Sequence, residues 1–205
     1  MESRIAVAHY DFGAYVDIRR WSSYWHQVQE TLAVRPRSVL EIGVGTGLFK
    51  AMLQALHCPA VTVDVNEALR PDYVGSVVAL PFRDDSFSAS VTFQVLEHLP
   101  YEDFKTSVRE MRRVAAEHVI LSLPDARKVW SCVLTTGRRE RRIQMSKPQW
   151  EAPVHKGRGS HRWEINKRGF PVERIVADIE DCGLRVMRNF RAPENPYHRF
   201  FVCRK

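Results

Sequence analysis

Glu41 sits inside the apolar run Val39 to Ile42, and Gly43, Gly45 and Gly47 follow it at once. A carboxylate in a strand of that kind is costly without a partner, so its position asks for one. The glycines offer backbone that a ligand can approach closely, and the helix expected after them starts with outward-pointing N–H groups. Asp64 stands 21 residues after Gly43, at the end of a second β-branched run. His98, in FQVLEHLP, follows a further apolar run and is a residue type that can orient an acceptor or take its proton. His161 and Glu164 lie with His155 and Trp163 in HKGRGSHRWEIN, an unusual grouping for a polar stretch, in which either could act as a base. The plainer alternatives are a tight turn without ligand, a strand-end cap at Asp64, a packed His98 and a loop pinned by its own hydrogen bonds.

Elements must bring these residues together. Trp21, Tyr24, Trp25, Val28 and Leu32 recur at helical spacing, which predicts a helix over Arg20 to Leu32 with an aromatic stripe turned to the core. Strands are expected from Ser38, over Val61 to Val65, near Tyr73 to Val78, over Phe87 to Phe93 and over His118 to Leu123. Helices are expected after the glycines, with Leu48, Phe49, Met52, Leu53 and Leu56 on one face, and over Tyr101 to Ala116. A helix over Val172 to Cys182 and strands over Leu184 to Phe190 and Tyr197 to Cys203 complete the pattern. Strands alternating with helices imply a parallel sheet covered on both faces, with the strand ends gathered along one rim. Chemistry belongs on that rim.

At 205 residues the expectation is one domain, with residues 1–35 as an N-terminal helical cap and 127–168 as an inserted lid. That insertion holds twelve Lys and Arg against three Glu, so it carries +9 while the remaining 19 bases and 21 acids nearly balance. It is interrupted by Gly137, Pro148, Pro153, Gly157 and Gly159 and is read as folding over the rim. Its RRERR run has few aromatics for stacking bases and reads as a solvated face. Cys58, Cys132, Cys182 and Cys203 form no CxxC pair, which argues against a cysteine zinc site or disulfide framework and leaves core or boundary thiols; no metal ligands are read from the sequence. No apolar run approaches the roughly 20 residues of a membrane span. MESRIAVAHYDFG has no signal-peptide pattern, so a cytoplasmic location is expected.

The glycine turn admits more than one ligand. A dinucleotide fingerprint needs a third glycine where Leu48 or Lys50 stands, and no P-loop string occurs. The pattern that remains, EIGVGTG after an apolar strand, resembles motif I of the class I S-adenosylmethionine-dependent methyltransferases. GSVVALPF, DDSF and FQVLEHLP are similar to the later motifs of the small enzymes related to the ubiquinone and menaquinone methyltransferases, so the likeness spans Ser38 to Pro124. It implies a doubly wound, mostly parallel seven-stranded α/β sheet of the Rossmann-like methyltransferase type, with the basic insertion after the fifth strand. It implies S-adenosylmethionine as cofactor, with Gly43, Gly45 and Gly47 against its methionine and ribose, Glu41 at its ammonium end and Asp64 on the ribose hydroxyls. Ser76, Val77 and Gln94 complete the implied cofactor set. Ser76 departs from the acid usual at the adenine amino group, leaving that contact to the Val77 backbone, and Ser88 departs from the usual Asp.

The implied function is methyl transfer to a small acceptor, for which the basic insertion favours an anionic one. His98 is the first choice for its base, His161 the second and Glu164 a third. An RNA methyltransferase using the basic patch on phosphates is a second reading, ranked lower because no appended RNA-binding module is visible. A non-catalytic binding protein on the same fold is a third. Oligomeric state is left open.

Overall fold

The computed structural model describes residues 7–137, 139–148, 151–156 and 160–205. The first six residues, Arg138 of the RRERR run, and Gly157 and Gly159 of the insertion lie outside them. The chain begins with α1 (Phe12–Tyr15) and α2 (Ile18–Ala33), each started by an aspartate cap: Asp11 accepts from the Ala14 N–H and Asp17 from the Arg20 N–H. There follow β1 (Val39–Ile42), α3 (Leu48–Ala55), β2 (Ala60–Asp64), β3 (Tyr73–Val74), β4 (Phe87–Phe93), α4 (Phe104–Val114) and β5 (Ala115–Pro124). A hairpin of β6 (Val129–Thr136) and β7 (Arg139–Ser146) forms a small sheet of its own, and α5 (Val172–Glu180), β8 (Arg185–Arg191) and β9 (His198–Arg204) complete the chain.

Seven strands form one sheet in the order β3-β2-β1-β4-β5-β9-β8. Pairs from β3 through β5 are parallel, and β9 runs antiparallel between β5 and β8. This is the mostly parallel, Rossmann-like sheet expected, with the basic insertion after β5. The winding reverses between β1 and β4, where a crevice opens at the carboxyl ends of the strands.

Side chains along β1 alternate between two cores. Leu40 and Ile42 join the cluster formed with α4 and α5, which includes Val108, Met111 and Ile175. Val39 packs with Tyr24, Phe49, Leu53 and Ile120 on the α2 and α3 side. Glu41, two residues after Val39, therefore points to the second face.

Several expectations require correction. The stripe of α2 faces the core only in part: Tyr24 is buried and Val28 and Leu32 pack against the second core, whereas Trp21 and Trp25 are 45% and 57% exposed. The buried face is Ser23, Tyr24, Gln27, Glu30 and Thr31, joined by His26. Polar groups are tolerated there because the far end of the chain supplies partners: His26 pairs with Glu194 at 2.9 Å, Asn195 donates to Ser23 Oγ at 3.0 Å, and Glu30 pairs with Arg188. The helix over Tyr101 to Ala116 is shorter. Its first turn is a 3₁₀ turn, Tyr101–Asp103, and Ala115 and Ala116 already belong to β5. The strand near Tyr73 to Val78 reduces to two exposed residues, and no helix joins β3 to β4. Cys58, Cys182 and Cys203 are buried, whereas Cys132 on the hairpin is exposed.

The insertion is not structureless. Its first half is the β6–β7 hairpin, paired from Val129 with Ser146 to Thr136 with Arg139. Its end packs into the main core through Trp163 and Ile165, which are 1% and 0% exposed. Trp163 meets Tyr101 and Phe104 edge-on at 4.9 and 5.4 Å and donates its Nε1–H to the Leu99 carbonyl at 3.2 Å. Backbone bonds from Arg162 to the Glu97 carbonyl (2.8 Å) and from Ile165 to the Pro124 carbonyl (2.9 Å) fasten this end to the rim after β4 and β5.

Trp163 thus holds the insertion to the sheet. Trp163→Ala is expected to destabilise the protein by about 3–5 kcal/mol, the cost of emptying a large aromatic site. Trp163→Phe keeps most of the packing but strands the Leu99 carbonyl, for about 1–3 kcal/mol. Urea midpoints of the two variants against the parent chain check the order.

Candidate functional site at the carboxyl rim

One pocket lies at the carboxyl ends of β1, β2 and β4. Its floor is the turn after β1. Gly43, Gly45 and Gly47 all have left-handed backbone, at φ 88°, 52° and 75°. At Gly43 a side chain is excluded twice over, since a Cβ would lie 2.4 Å from Val95 Cγ2. Gly47 caps α3 without lining the pocket, whereas Gly43 and Gly45 are on its wall.

Asp64 closes the turn onto β2. Its Oδ2 accepts from the Val44 N–H at 2.9 Å and its Oδ1 from the Asn66 N–H at 2.8 Å. Each oxygen keeps a second lone pair, and the residue is only half-buried on the pocket wall. Glu41 is 4% exposed and lines the same pocket. Its Oε2 is buried without a hydrogen-bond partner. Burial drives its pKa well above the usual carboxylate range; Lys50 opposes the rise, while Asp64 and Asp72 add to it. Lys50 is itself committed to Asp72 at 2.6 Å.

Val77 and Gln94 lie on the wall; Ser76 does not, and its Oγ accepts instead from the Val78 N–H at 3.3 Å. Gln94 has left-handed backbone (φ 58°), unusual for a residue with a Cβ, and is held by Ser122 through its own N–H at 3.0 Å and its Nε2 at 3.2 Å.

His98 is on the pocket wall, in the 3₁₀ turn after β4. Its Nδ1 contacts the Ser160 carbonyl at 3.1 Å. A carbonyl only accepts, so Nδ1 carries the proton and Nε2 presents a lone pair. Burial lowers the pKa of this imidazole. His161 and Glu164 are not on the pocket wall; they form a layer behind it. The two histidine rings lie 5.0 Å apart. His161 Nδ1 is 3.0 Å from Glu164 Oε1, which also accepts from the Tyr197 hydroxyl at 2.7 Å. Burial alone would depress His161, but Glu164 and Glu97 reverse the shift and raise its pKa. Glu164 is lowered by the bonds from His161 and Tyr197 in spite of its own burial. His155 donates to the His161 carbonyl at 2.8 Å, which pins the loop.

Residues of the N-terminal segment complete the pocket, and of these the sequence singles out only Tyr24. Tyr10, Tyr15, Arg20, Tyr24 and Gln27 line it from the N-terminal segment, and His198 from β9. Tyr24 donates to or accepts from Thr46 Oγ1 at 2.7 Å, tying α2 to the glycine turn. The Arg20 guanidinium lies 3.7 Å from the Tyr15 ring centroid, and no carboxylate of the described residues pairs with it. His198, 5% exposed, has an unpartnered Nδ1 and a pKa pushed by burial down to about 3. The available signal was the run of tyrosines before and within α2, which the stripe of tryptophans obscured.

No helix among the described residues is long and apolar enough to cross a membrane. No curated protein matches the chain. Solved structures do. The 1,6-didemethyltoxoflavin-N1-methyltransferase of Burkholderia thailandensis, with 1,6-didemethyltoxoflavin and S-adenosylhomocysteine bound, superposes at a TM-score of 0.62 and 14% identity, over 97% of this chain and 84% of that one. An S-adenosylmethionine-dependent methyltransferase from Clostridium acetobutylicum gives 0.61 at 11% identity, over 97% and 96%. The glycopeptide N-methyltransferase MtfA with S-adenosylhomocysteine gives 0.60 at 14% identity, over 93% and 90%. At such identities the likeness is one of fold. Residues 40–123, which hold β1 through β5, match the family model of a methyltransferase domain. The matched stretch and the shared fold make this chain similar to the S-adenosylmethionine-dependent methyltransferases across the core that carries the glycine turn and Asp64.

Proposed function

We propose that the chain transfers the methyl group of S-adenosylmethionine to a small anionic acceptor held between the glycine turn and the N-terminal wall. The observation that carries the acceptor's charge is Arg20, a cation on the pocket wall with which no carboxylate of the described residues pairs. This differs from the reason offered by the sequence, the charge of the insertion, and it is more local. Tyr10, Tyr15 and Tyr24 give the same wall aromatic faces suited to a planar or partly apolar body.

On the cofactor side, Gly43 and Gly45 let the methionine part approach the backbone, and Gly47 sets the start of α3. Asp64 accepts from the ribose hydroxyls with its free lone pairs. Glu41 receives the ammonium group, which accounts for an unpartnered carboxylate oxygen buried in the central strand. Val77 and Gln94 flank the adenosine, and Ser76 acts through the turn it braces.

On the acceptor side, a lone pair of the acceptor attacks the methyl carbon in line with the departing sulfur. The new bond forms as the C–S bond breaks, its electron pair stays on sulfur, and a neutral thioether leaves. Alignment and exclusion of water supply most of the rate. A hydroxyl or ammonium acceptor also loses a proton, which His98 Nε2 takes. His161 and Glu164, with Tyr197, act as positioning residues that fix the ring behind His98 and are not the base. His161 carries its proton to higher pH than a free imidazole, a poor state for accepting one.

Calorimetry tests the cofactor assignments. S-adenosylmethionine and S-adenosylhomocysteine should both bind, and Asp64→Ala should weaken each about 10–100-fold, the worth of charge-assisted hydrogen bonds. Binding should release protons at pH values between the ordinary carboxylate range and the raised pKa of Glu41, because the ammonium group pulls that pKa back down. Buffers of different ionisation enthalpy reveal that release, and Glu41→Gln should abolish it.

Labelled-methyl transfer tests the acceptor. Incubation with a metabolite extract should put label into acidic small molecules; label in nuclease-sensitive material would overturn the reading. With the acceptor in hand, kcat/KM in chelator-containing buffer should rise with pH through a value below the ordinary histidine pKa, since burial depresses His98. His98→Ala should remove that limb and cost about 10²–10⁴-fold.

A further inference from the structure

Glu97 is the least explained residue near the site. It follows Leu96 in the 3₁₀ turn after β4, is 0% exposed, and has neither carboxylate oxygen hydrogen-bonded to another residue. A buried carboxylate with no partner is among the most expensive groups a fold can carry. Its nearest cationic neighbour is His161, whose Nε2 lies 3.8 Å from Glu97 Oε1. Glu97, His98 and His161 each offer a ligand atom within 4.8 Å of the others.

Both imidazoles are turned for coordination. His98 uses Nδ1 on the Ser160 carbonyl, and His161 uses Nδ1 on Glu164, which Tyr197 braces in turn. Nε2 is the nitrogen that these bonds leave in each ring. A carbonyl or carboxylate on the far nitrogen is the arrangement that fixes metal-binding histidines and raises their basicity. Two imidazoles and a carboxylate form a donor set suited to a divalent first-row ion with coordination positions left open. Bonds of about 2.0–2.2 Å would draw the three ligand atoms closer than their present spacing.

We propose that Glu97, His98 and His161 bind one divalent first-row transition-metal ion at the acceptor side of the pocket. The cysteines gave no hint of it because the three ligands come from a turn after β4 and from the far end of the insertion, 63 residues after His98. Binding of the ion stands on this cluster; its use by the acceptor rests on the methyl-transfer reading. With the ion bound, the His98 lone pair is a ligand rather than a base. An acceptor oxygen coordinated in an open position would lose its proton to water, because the ion lowers its pKa, and the same methyl transfer would follow. An anionic chelating acceptor fits both the ion and Arg20.

Chelator-treated full-length protein titrated with Co²⁺ provides the test, read by the visible absorption of the bound ion. One equivalent should bind, with Zn²⁺ in competition. His161→Ala and Glu97→Gln should each weaken Co²⁺ at least tenfold while leaving S-adenosylmethionine affinity within about twofold, which also reports that the variant is folded. Should Glu97→Gln fail to fold, His161→Ala decides. Failure of the parent protein to bind Co²⁺ while it binds S-adenosylmethionine would overturn the metal site and leave the methyltransferase reading standing. Unchanged Co²⁺ affinity in His161→Ala would overturn it equally.

Discussion

The register of three parallel strands governs where everything else can stand. Ile42 pairs with Val63 on one side and Thr92 on the other, so β1, β2 and β4 end at nearly one level. Two bonds lock that level: the Gly43 N–H donates to the Val63 carbonyl at 2.9 Å, and the Thr92 hydroxyl to the Ile42 carbonyl at 2.9 Å. A slip of one residue in any of the three would turn its side chains to the opposite face. Glu41 would then enter the core that Leu40 now fills, and Asp64 would no longer meet the turn. The glycines come after this constraint: they let the chain leave β1 sharply, with Val95 already in the space a Cβ would take.

Four buried acids show how differently the fold treats charge. Asp125, 1% exposed, accepts from Arg199 at 2.8 Å, Asn166 at 2.9 Å and the Arg127 N–H at 3.0 Å, and it ties β5, β9 and the insertion together. Glu30 has Arg188. These two have partners within the protein and belong to its structure. Glu41 and Glu97 keep buried oxygens without any, and burial holds both pKa values up, Glu97 to about 7. A chain that satisfies Asp125 so fully has the means to satisfy the others, and both exceptions lie on the functional rim.

The sheet was legible because each strand from β1 to β5 is a short apolar run bounded by turn residues, and parallel strands buried on both faces read that way. The glycine turn and Asp64 were legible for a related reason: their roles depend on position along a single βαβ unit. Three things were not. Which face of α2 is buried depended on Glu194, Asn195 and Arg188, far along the chain, where a helical wheel does not look. The hairpin within the insertion was hidden by its charge, although Val129 to Thr136 is β-prone and Gly137 marks a turn. Trp163 looked like part of a polar loop because its partners, Tyr101, Phe104 and Phe170, are local to other elements. In each case local pattern lost to a tertiary contact.

The two walls of the pocket have different origins in the chain. The glycine turn, Asp64, Val77 and His98 belong to the stretch that matches the methyltransferase domain, whereas Tyr10, Tyr15, Arg20, Tyr24 and His198 lie outside it. Because the two sets are separate in the chain, changes in the first 27 residues and at the start of β9 would reshape one wall and leave the matched stretch untouched.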